Sequence, residues 1–217
     1  REPRRWFHFS VHTQHRRGMS DTQPIVFIVD DDDDVRDSIS ELVESVGLTA
    51  AGYPSAALFL DAFERDSAGC LVLDVRMAEM SGMVLQQQLK EMAVDLPVIM
   101  ITGHGDVPMA VEAMKNGAFD FIQKPYREQV LLDSINSALV KNTEDRQATE
   151  VSSRLRNNLS TLTEREMEIF EYLRCGDSSK QIAKKLAISS RTVEAHRHNV
   201  LHKLGVASVK ELLLLAI

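Results

Sequence analysis

Apolar and polar positions come in alternating blocks along the first two thirds of the chain, and the block lengths predict its elements. Residues 25–29, IVFIV, are a short β-branched run of the kind found in a strand buried on both faces. Five consecutive aspartates, residues 30–34, end it abruptly. Val35, Ile39, Leu42, Val43 and Val46 then recur at helical spacing, and Gly47 stops them as a helix C-terminus does. A second helical segment begins at Ser55 and carries Leu58, Phe59, Ala62 and Phe63. Residues 70–73 read as a strand ending at Asp74, and Val84, Leu85, Leu89 and Met92 mark a helix. Residues 97–101 form a strand ending at Thr102, residues 107–114 are helical, and residues 119–123 make a fifth strand ending at Lys124. A helix over 126–140 closes the block, with Val130, Leu131, Ile135 and Leu139 inward.

Strands separated by helices of this length favour parallel βα units with helices on both sheet faces. In such sheets, ligands and chemistry gather beyond the carboxyl ends of the strands. Asp30, Asp31, Asp74, Thr102 and Lys124 all fall there. A single Asp or Lys in a loop is usually a solvated surface group; five suitable residue types at strand ends argue otherwise.

Residues 141–160 are polar, with Arg146, Gln147, Glu150, Asn157 and Asn158, and read as a linker that partly extends the preceding helix. From Thr163 onward the pattern is helical throughout. Thr163-x-x-Glu166 has the form of a capping box, with Met167, Ile169, Phe170 and Leu173 inward before Gly176. Ser179 opens a second helix with Ile182, Ala183 and Leu186 inward, and residues 187–189 make a turn. Ser189 or Ser190 caps a third, whose inward series is Val193, His196 or Arg197, Val200 and Leu204; a last helix starts at Ser208. Two short helices joined by such a turn fit a helix-turn-helix. Its third helix would present Arg191, Thr192, Glu194, Ala195 and His198 to base edges. Arg197, Lys184 and Lys185 suit phosphate contacts, and Arg191 suits either role. A small helical dimerisation domain has much the same core pattern. His196, His198 and His202 lack the cysteines or carboxylates that would support a metal site.

Charge separates the two parts. The 217-residue chain has a formal net charge of -7, but residues 20–149 hold 23 Asp/Glu against 9 Lys/Arg, whereas residues 155–217 hold 7 against 10. The first part is repelled by a phosphate backbone and the second can approach one. No apolar run reaches the roughly 18 residues needed to span a bilayer. Cys70 and Cys175, the only cysteines, suggest neither a disulfide scaffold nor a zinc site and fit a reducing, cytoplasmic setting. Residues 1–19 stand apart: REPRRWFHFSVHTQHRRG precedes Met19 without apolar periodicity or a secretory core, and reads as a disordered or non-native extension.

Three carboxylates at strand ends suit phosphoryl chemistry on an aspartate. A hard cation held by oxygen ligands, Mg²⁺, lets an anionic acceptor meet an anionic donor. Asp31, Asp74 and the Arg76 carbonyl are the expected direct ligands, with Asp30 acting through water. Asp74 is the expected acceptor. Lys124 and Thr102 would meet the transferred phosphoryl oxygens. The product is an acyl phosphate, so the donor must itself be reactive, as a phosphohistidine is. A plain Mg²⁺-dependent phosphatase is the enzymatic rival.

IVFIVDDDDDVR, LVLDVRMAEMSG, VIMITGHGD and FDFIQKPY resemble the four motif regions of response-regulator receivers, and GHGDVPMAVEAMKNGAFDFIQKP is similar to the FixJ-type subgroup. The resemblance implies a five-stranded parallel, doubly wound, flavodoxin-like receiver. It implies Asp74 as phosphoacceptor, Asp30 and Asp31 as the acidic pair, Thr102 as switch hydroxyl, Phe121 as switch aromatic and a cis peptide bond at Lys124–Pro125. It places a dimerisation face on the fourth helix and fifth strand, roughly 107–120. Ala78 departs from the motif, which commonly has Pro there, and is expected to loosen the loop without touching a reacting atom. LTEREMEIFEYLRCGDSSKQIAKKLAISSRTVEAHRHNVLHKLGV resembles the LuxR-type four-helix DNA-binding family.

The sequence therefore predicts a receiver over 20–142, a linker over 143–159 and a DNA-binding helix-turn-helix over 160–217. The implied activity is transcription control by phosphorylation, with no enzyme activity beyond self-catalysed phosphotransfer and dephosphorylation at Asp74. The implied partners are a sensor histidine kinase, double-stranded promoter DNA, a second copy of the chain after phosphorylation, and RNA polymerase; no membrane is expected. A receiver-linked phosphatase and a protein-interaction adaptor that does not bind DNA are the alternatives.

Overall fold

The computed structural model describes residues 23–103 and 107–215; the extension over 1–19 lies outside them. The chain divides into two compact units after Leu139.

In the first unit five strands, β1 (Ile25–Val29), β2 (Thr49–Tyr53), β3 (Gly69–Asp74), β4 (Val98–Thr102) and β5 (Asp120–Gln123), form one parallel sheet in the order β2-β1-β3-β4-β5. Between them run α1 (Asp33–Ser45), α2 (Ala56–Ala62), α3 (Gly82–Glu91) and α4 (Val107–Lys115). The period-2 alternation of side chains divides each buried strand between two cores. Phe27, Val29, Leu71, Leu73, Val98 and Met100 pack with Phe59 of α2 and with Leu85 and Leu89 of α3. On the other face Val26, Ile28, Cys70, Val72, Ile99 and Ile101 pack with Ile39 and Val43 of α1 and with Leu131 and Ile135. Each such side chain contributes about 1.5–3 kcal/mol of burial.

Local chemistry sets the boundaries. The Asp32 carboxylate caps α1, accepting from the amides of Asp34 and Val35, while Asp33 and Asp34 occupy the first turn, where carboxylates oppose the helix dipole. Ser55 and Ser81 cap α2 and α3. The apolar pattern locates no strand between Gly47 and Ser55, yet β2 lies there as an edge strand. Its residues, TAAGY, pair on one side only, and the middle three are Ala, Ala and Gly. Helix α4 buries Ala113 alone and leaves Val107, Val111 and Met114 exposed.

Helix α5 (Glu128–Leu159) runs well past the 126–140 expected from its apolar positions. Residues 141–159 contain neither Gly nor Pro. The pairs Lys141–Asp145 and Glu150–Arg154 lie one helical turn apart, so the segment stays helical without an apolar stripe.

The second unit adds α6 (Glu164–Arg174), α7 (Ser179–Leu186), α8 (Ser190–Leu204) and α9 (Val209–Leu215). Ile169, Phe170, Leu173, Ile182, Val193, Val200, Leu204 and Leu212 form its core, with Leu155 and Leu159 against it. Capping boxes at Thr163/Glu166 and Ser178/Gln181 start α6 and α7, Ser189 caps α8, and Gly205 ends α8 in the left-handed conformation.

Glu166 also ties α6 to α8: its Oε2 accepts from Lys203 Nζ at 2.6 Å. That bond, with those from Thr163, holds its carboxyl down at about 2 against an ordinary 4.5. A depressed carboxyl stabilises the fold above its unfolded pKa and loses that contribution as pH falls through the folded value. The stability difference between wild type and Glu166→Gln is therefore expected to shrink as pH drops from 4.5 to about 2. Amide exchange at Ile169 and Leu173 reads it; a difference constant over that window would refute the linkage.

Candidate functional site

Because every strand is parallel, the carboxyl ends share one edge of the sheet. Asp30 follows β1, Asp74 ends β3, Thr102 ends β4 and Lys124 follows β5. The register sets Val29 beside Leu73, Asp74 beside Ile101 and Thr102 beside Gln123. Asp30, Asp74 and Thr102 are buried, at 1%, 6% and 0% exposure. Lys124 Nζ donates to Asp30 Oδ2 at 2.9 Å and to Asp74 Oδ1 at 2.8 Å, so one ammonium serves both carboxylates. Asp74 Oδ2 accepts from the Arg76 amide at 2.7 Å, and Asp30 Oδ1 from the Asp32 amide at 3.0 Å. Removing carboxylates from water is costly, and these donors offset the cost. Burial still pushes the Asp30 carboxyl above its usual range, opposed by the Lys124 hydrogen bond. Burial works against the charge on Lys124, but hydrogen bonds to Asp74 and Asp30 outweigh it and raise its pKa.

Asp31 is exposed, and its Oδ2 accepts from the Ala78 amide at 2.9 Å. The expected loosening by Ala78 is thus corrected: its N–H, which a proline would lack, ties the loop to an acidic residue of the site. Half-buried Phe121 lies beside Met100 in the sheet register and packs against the core that includes Ala113 and Ala118. Lys124–Pro125 is cis, and the Lys124 amide donates to Thr102 O at 2.8 Å.

Two supporting residues escape a reading of side-chain chemistry along the sequence. Buried Arg36 reaches back from α1, its Nη1 donating to Asp30 O at 2.8 Å and its Nη2 pairing with Asp33. Gly82 starts α3 so close to Asp74 that a Cβ there would lie 2.2 Å from the Asp74 carbonyl oxygen. The run of aspartates and the Ser-Gly pair were visible, but neither predicts these contacts.

The second unit keeps the residues expected to read base edges together. Arg191, Thr192, Glu194, Ala195 and His198 are exposed on the amino-terminal half of α8, while Val193 and Val200 face the core. The Thr192 hydroxyl is engaged with Ser189 Oγ at 2.8 Å in the helix cap. Arg197 pairs with Glu194 at 3.5 Å. Lys184 and Lys185 are exposed on α7, but Lys185 donates to Asp177 at 2.6 Å and lies 5.1 Å from the Tyr172 ring centroid.

The fold and this strand-end cluster define a phosphoacceptor domain joined to a helix-turn-helix, and comparison with known proteins gives the family. The response regulator receiver domain matches residues 26–136, and the luxR family of bacterial regulatory proteins matches residues 160–216. The chain belongs to the FixJ/LuxR-type two-component response regulators. It is 44% identical over 196 residues to the response regulator protein TodT of Pseudomonas putida, covering 90% of this chain and 86% of that one. It is 47% identical to the transcriptional regulatory protein TdiR of Thauera aromatica, covering 87% and 83%. The solved response regulator StyR superposes with a TM-score of 0.81 at 44% identity, covering 89% of this chain and 98% of that one.

The protein is accordingly a phosphorylation-controlled, DNA-binding transcriptional regulator, with a histidine kinase as phosphodonor and dimerisation among its interactions. Its receiver supports phosphotransfer and dephosphorylation on itself. Among the described residues no helix is long and apolar enough to cross a membrane. Receivers of this family use Mg²⁺ at the phosphoacceptor, and the donor chemistry here fits: carboxylates at Asp30, Asp31 and Asp74, with no soft ligand among them. Among the described residues no three such side chains converge as a metal-holding group. Lys124 draws Asp30 and Asp74 together, whereas the Asp31 carboxylate accepts from the Ala78 amide.

Proposed function

We propose that Asp74 is the phosphoacceptor, an assignment supported above all by its burial at the edge of the sheet with Lys124 2.8 Å from one carboxylate oxygen. An oxygen of Asp74 attacks phosphorus, the bond from phosphorus to the donor imidazole nitrogen breaks, and the nitrogen keeps the electron pair. Lys124 follows the charge from carboxylate to phosphoryl oxygens, and Thr102 donates its hydroxyl to another of them. Asp31, Asp74 and the Arg76 carbonyl would hold Mg²⁺, with Asp30 acting through water. Bound there, the ion neutralises repulsion between the two anions. Thr102 moving toward the new phosphate makes room for Phe121 to turn inward, which alters the face built on α4 and β5. Exposed Val107, Val111 and Met114 suit that face to a second copy of the chain.

The receiver is placed at 20–142, the connecting segment at 143–159 and the output domain at 160–217. Arg191, Thr192, Glu194, Ala195 and His198 read base edges, and Lys184, Lys185 and Arg197 meet phosphates. Lys185 and Arg197 first exchange the carboxylates of Asp177 and Glu194 for DNA. Contact with RNA polymerase completes the output.

Binding curves on selected and random duplexes test the DNA assignment. Arg191→Ala is expected to cost about 1–3 kcal/mol on the selected site and relax its sequence preference. Lys184→Ala is expected to weaken both duplexes alike and flatten the salt dependence. Two variants indistinguishable from wild type on both duplexes would remove α7 and α8 from the interface.

A further inference from the structure

The loop after β3 is tied to the end of β1 across 47 residues of chain by one hydrogen bond, from the Ala78 amide to Asp31 Oδ2 at 2.9 Å. Asp31 and Ala78 line the same cleft, beside Ser55, Met77 and Met80. An N–H donating to a carboxylate is charge-assisted and stronger than a neutral pair. A divalent cation demands lone pairs of that same carboxylate. The other two acidic residues are drawn together by a flexible ammonium, Lys124, whereas Asp31 is held by a main-chain donor fixed in its loop.

The geometry points to the Ala78 amide as a tuning group for the metal: it holds Asp31 on the loop and competes with a divalent cation for its carboxylate. Cation binding then releases the loop just ahead of Ser81, the cap of α3. Mg²⁺ affinity is thereby set by a residue that contributes no side-chain donor. This inference rests on the assignment of Asp31 as a metal ligand made above.

The test is calorimetric titration of the full chain with MgCl₂, beside amide exchange at Ala78. Ala78→Pro deletes the N–H and is expected to lower the Mg²⁺ dissociation constant about tenfold. Ala78→Gly, which keeps the donor, is expected to bind like wild type. In the wild type, saturating Mg²⁺ is expected to speed exchange of the Ala78 amide. A dissociation constant unchanged or raised in Ala78→Pro, or an Ala78 amide equally protected with and without Mg²⁺, overturns the competition. If Ala78→Pro does not fold, the wild-type exchange measurement decides. Asp31→Asn separates the two claims. Wild-type affinity in that variant removes Asp31 as a ligand and the inference with it. Weakened binding there, with no tightening in Ala78→Pro, removes the competition alone.

Discussion

Asp74→Asn is expected to fold and to form no acyl phosphate. The side chain keeps its shape, and its amide oxygen can still accept from Lys124 or from the Arg76 amide, which lie 2.8 and 2.7 Å from the two carboxylate oxygens. What is lost is the anionic oxygen that attacks phosphorus, and no neighbour replaces it. Asp30 is buried with its Oδ1 on the Asp32 amide, and Asp31 is turned to Ala78. Incubation with a phosphohistidine donor followed by intact-mass measurement should show one added phosphoryl group on wild type and none on the variant. A phosphorylated variant with the group mapped to another residue would move the acceptor elsewhere.

The second large effect is expected from Gly82→Ala. The added methyl would lie 2.2 Å from the Asp74 carbonyl oxygen, 3.1 Å from its carbonyl carbon and 3.0 Å from Leu73 Cγ. Two of those atoms are backbone, and the Gly82 amide is itself bonded to Val75 O at 3.0 Å, so neither side yields freely. Overpacking of this kind costs about 1–3 kcal/mol. Here the displaced peptide carries the phosphoacceptor, so the phosphorylation rate should fall along with urea stability. A variant with wild-type stability and rate would show that α3 shifts away at no cost and that the close approach does not position Asp74.

Much of this was legible because strands announce where they stop. The apolar runs before Asp30, Asp74, Thr102 and Lys124 are enough to place four chemically suited side chains at one sheet edge. Strand β2 was not legible because an edge strand of Thr, Ala, Ala, Gly and Tyr is only half-buried and carries no β-branched apolar run to mark it. The linker reads as a partial extension of the preceding helix, but the full reach of α5 to Leu159 was not legible, because helix propensity and ion pairs one turn apart leave no apolar periodicity. At the site, the Ala78 amide and the closeness of Gly82 to Asp74 belong to the backbone and only folding reveals them. The pairing of Lys185 with Asp177 spans eight residues and a helix start, a separation at which charge counting says nothing.

The central claim is that phosphate on Asp74 controls the hold of α8 on DNA. Its most direct test is selection of genomic duplexes by the full chain, with and without a phosphohistidine donor, for wild type and Asp74→Asn in parallel. Phosphorylation is expected to tighten wild-type binding to a defined set of sites, Arg191→Ala to lose that set, and Asp74→Asn to give one unchanging profile under both conditions. Equal wild-type profiles with and without phosphate, or a phosphate-dependent change that survives in Asp74→Asn, would contradict it.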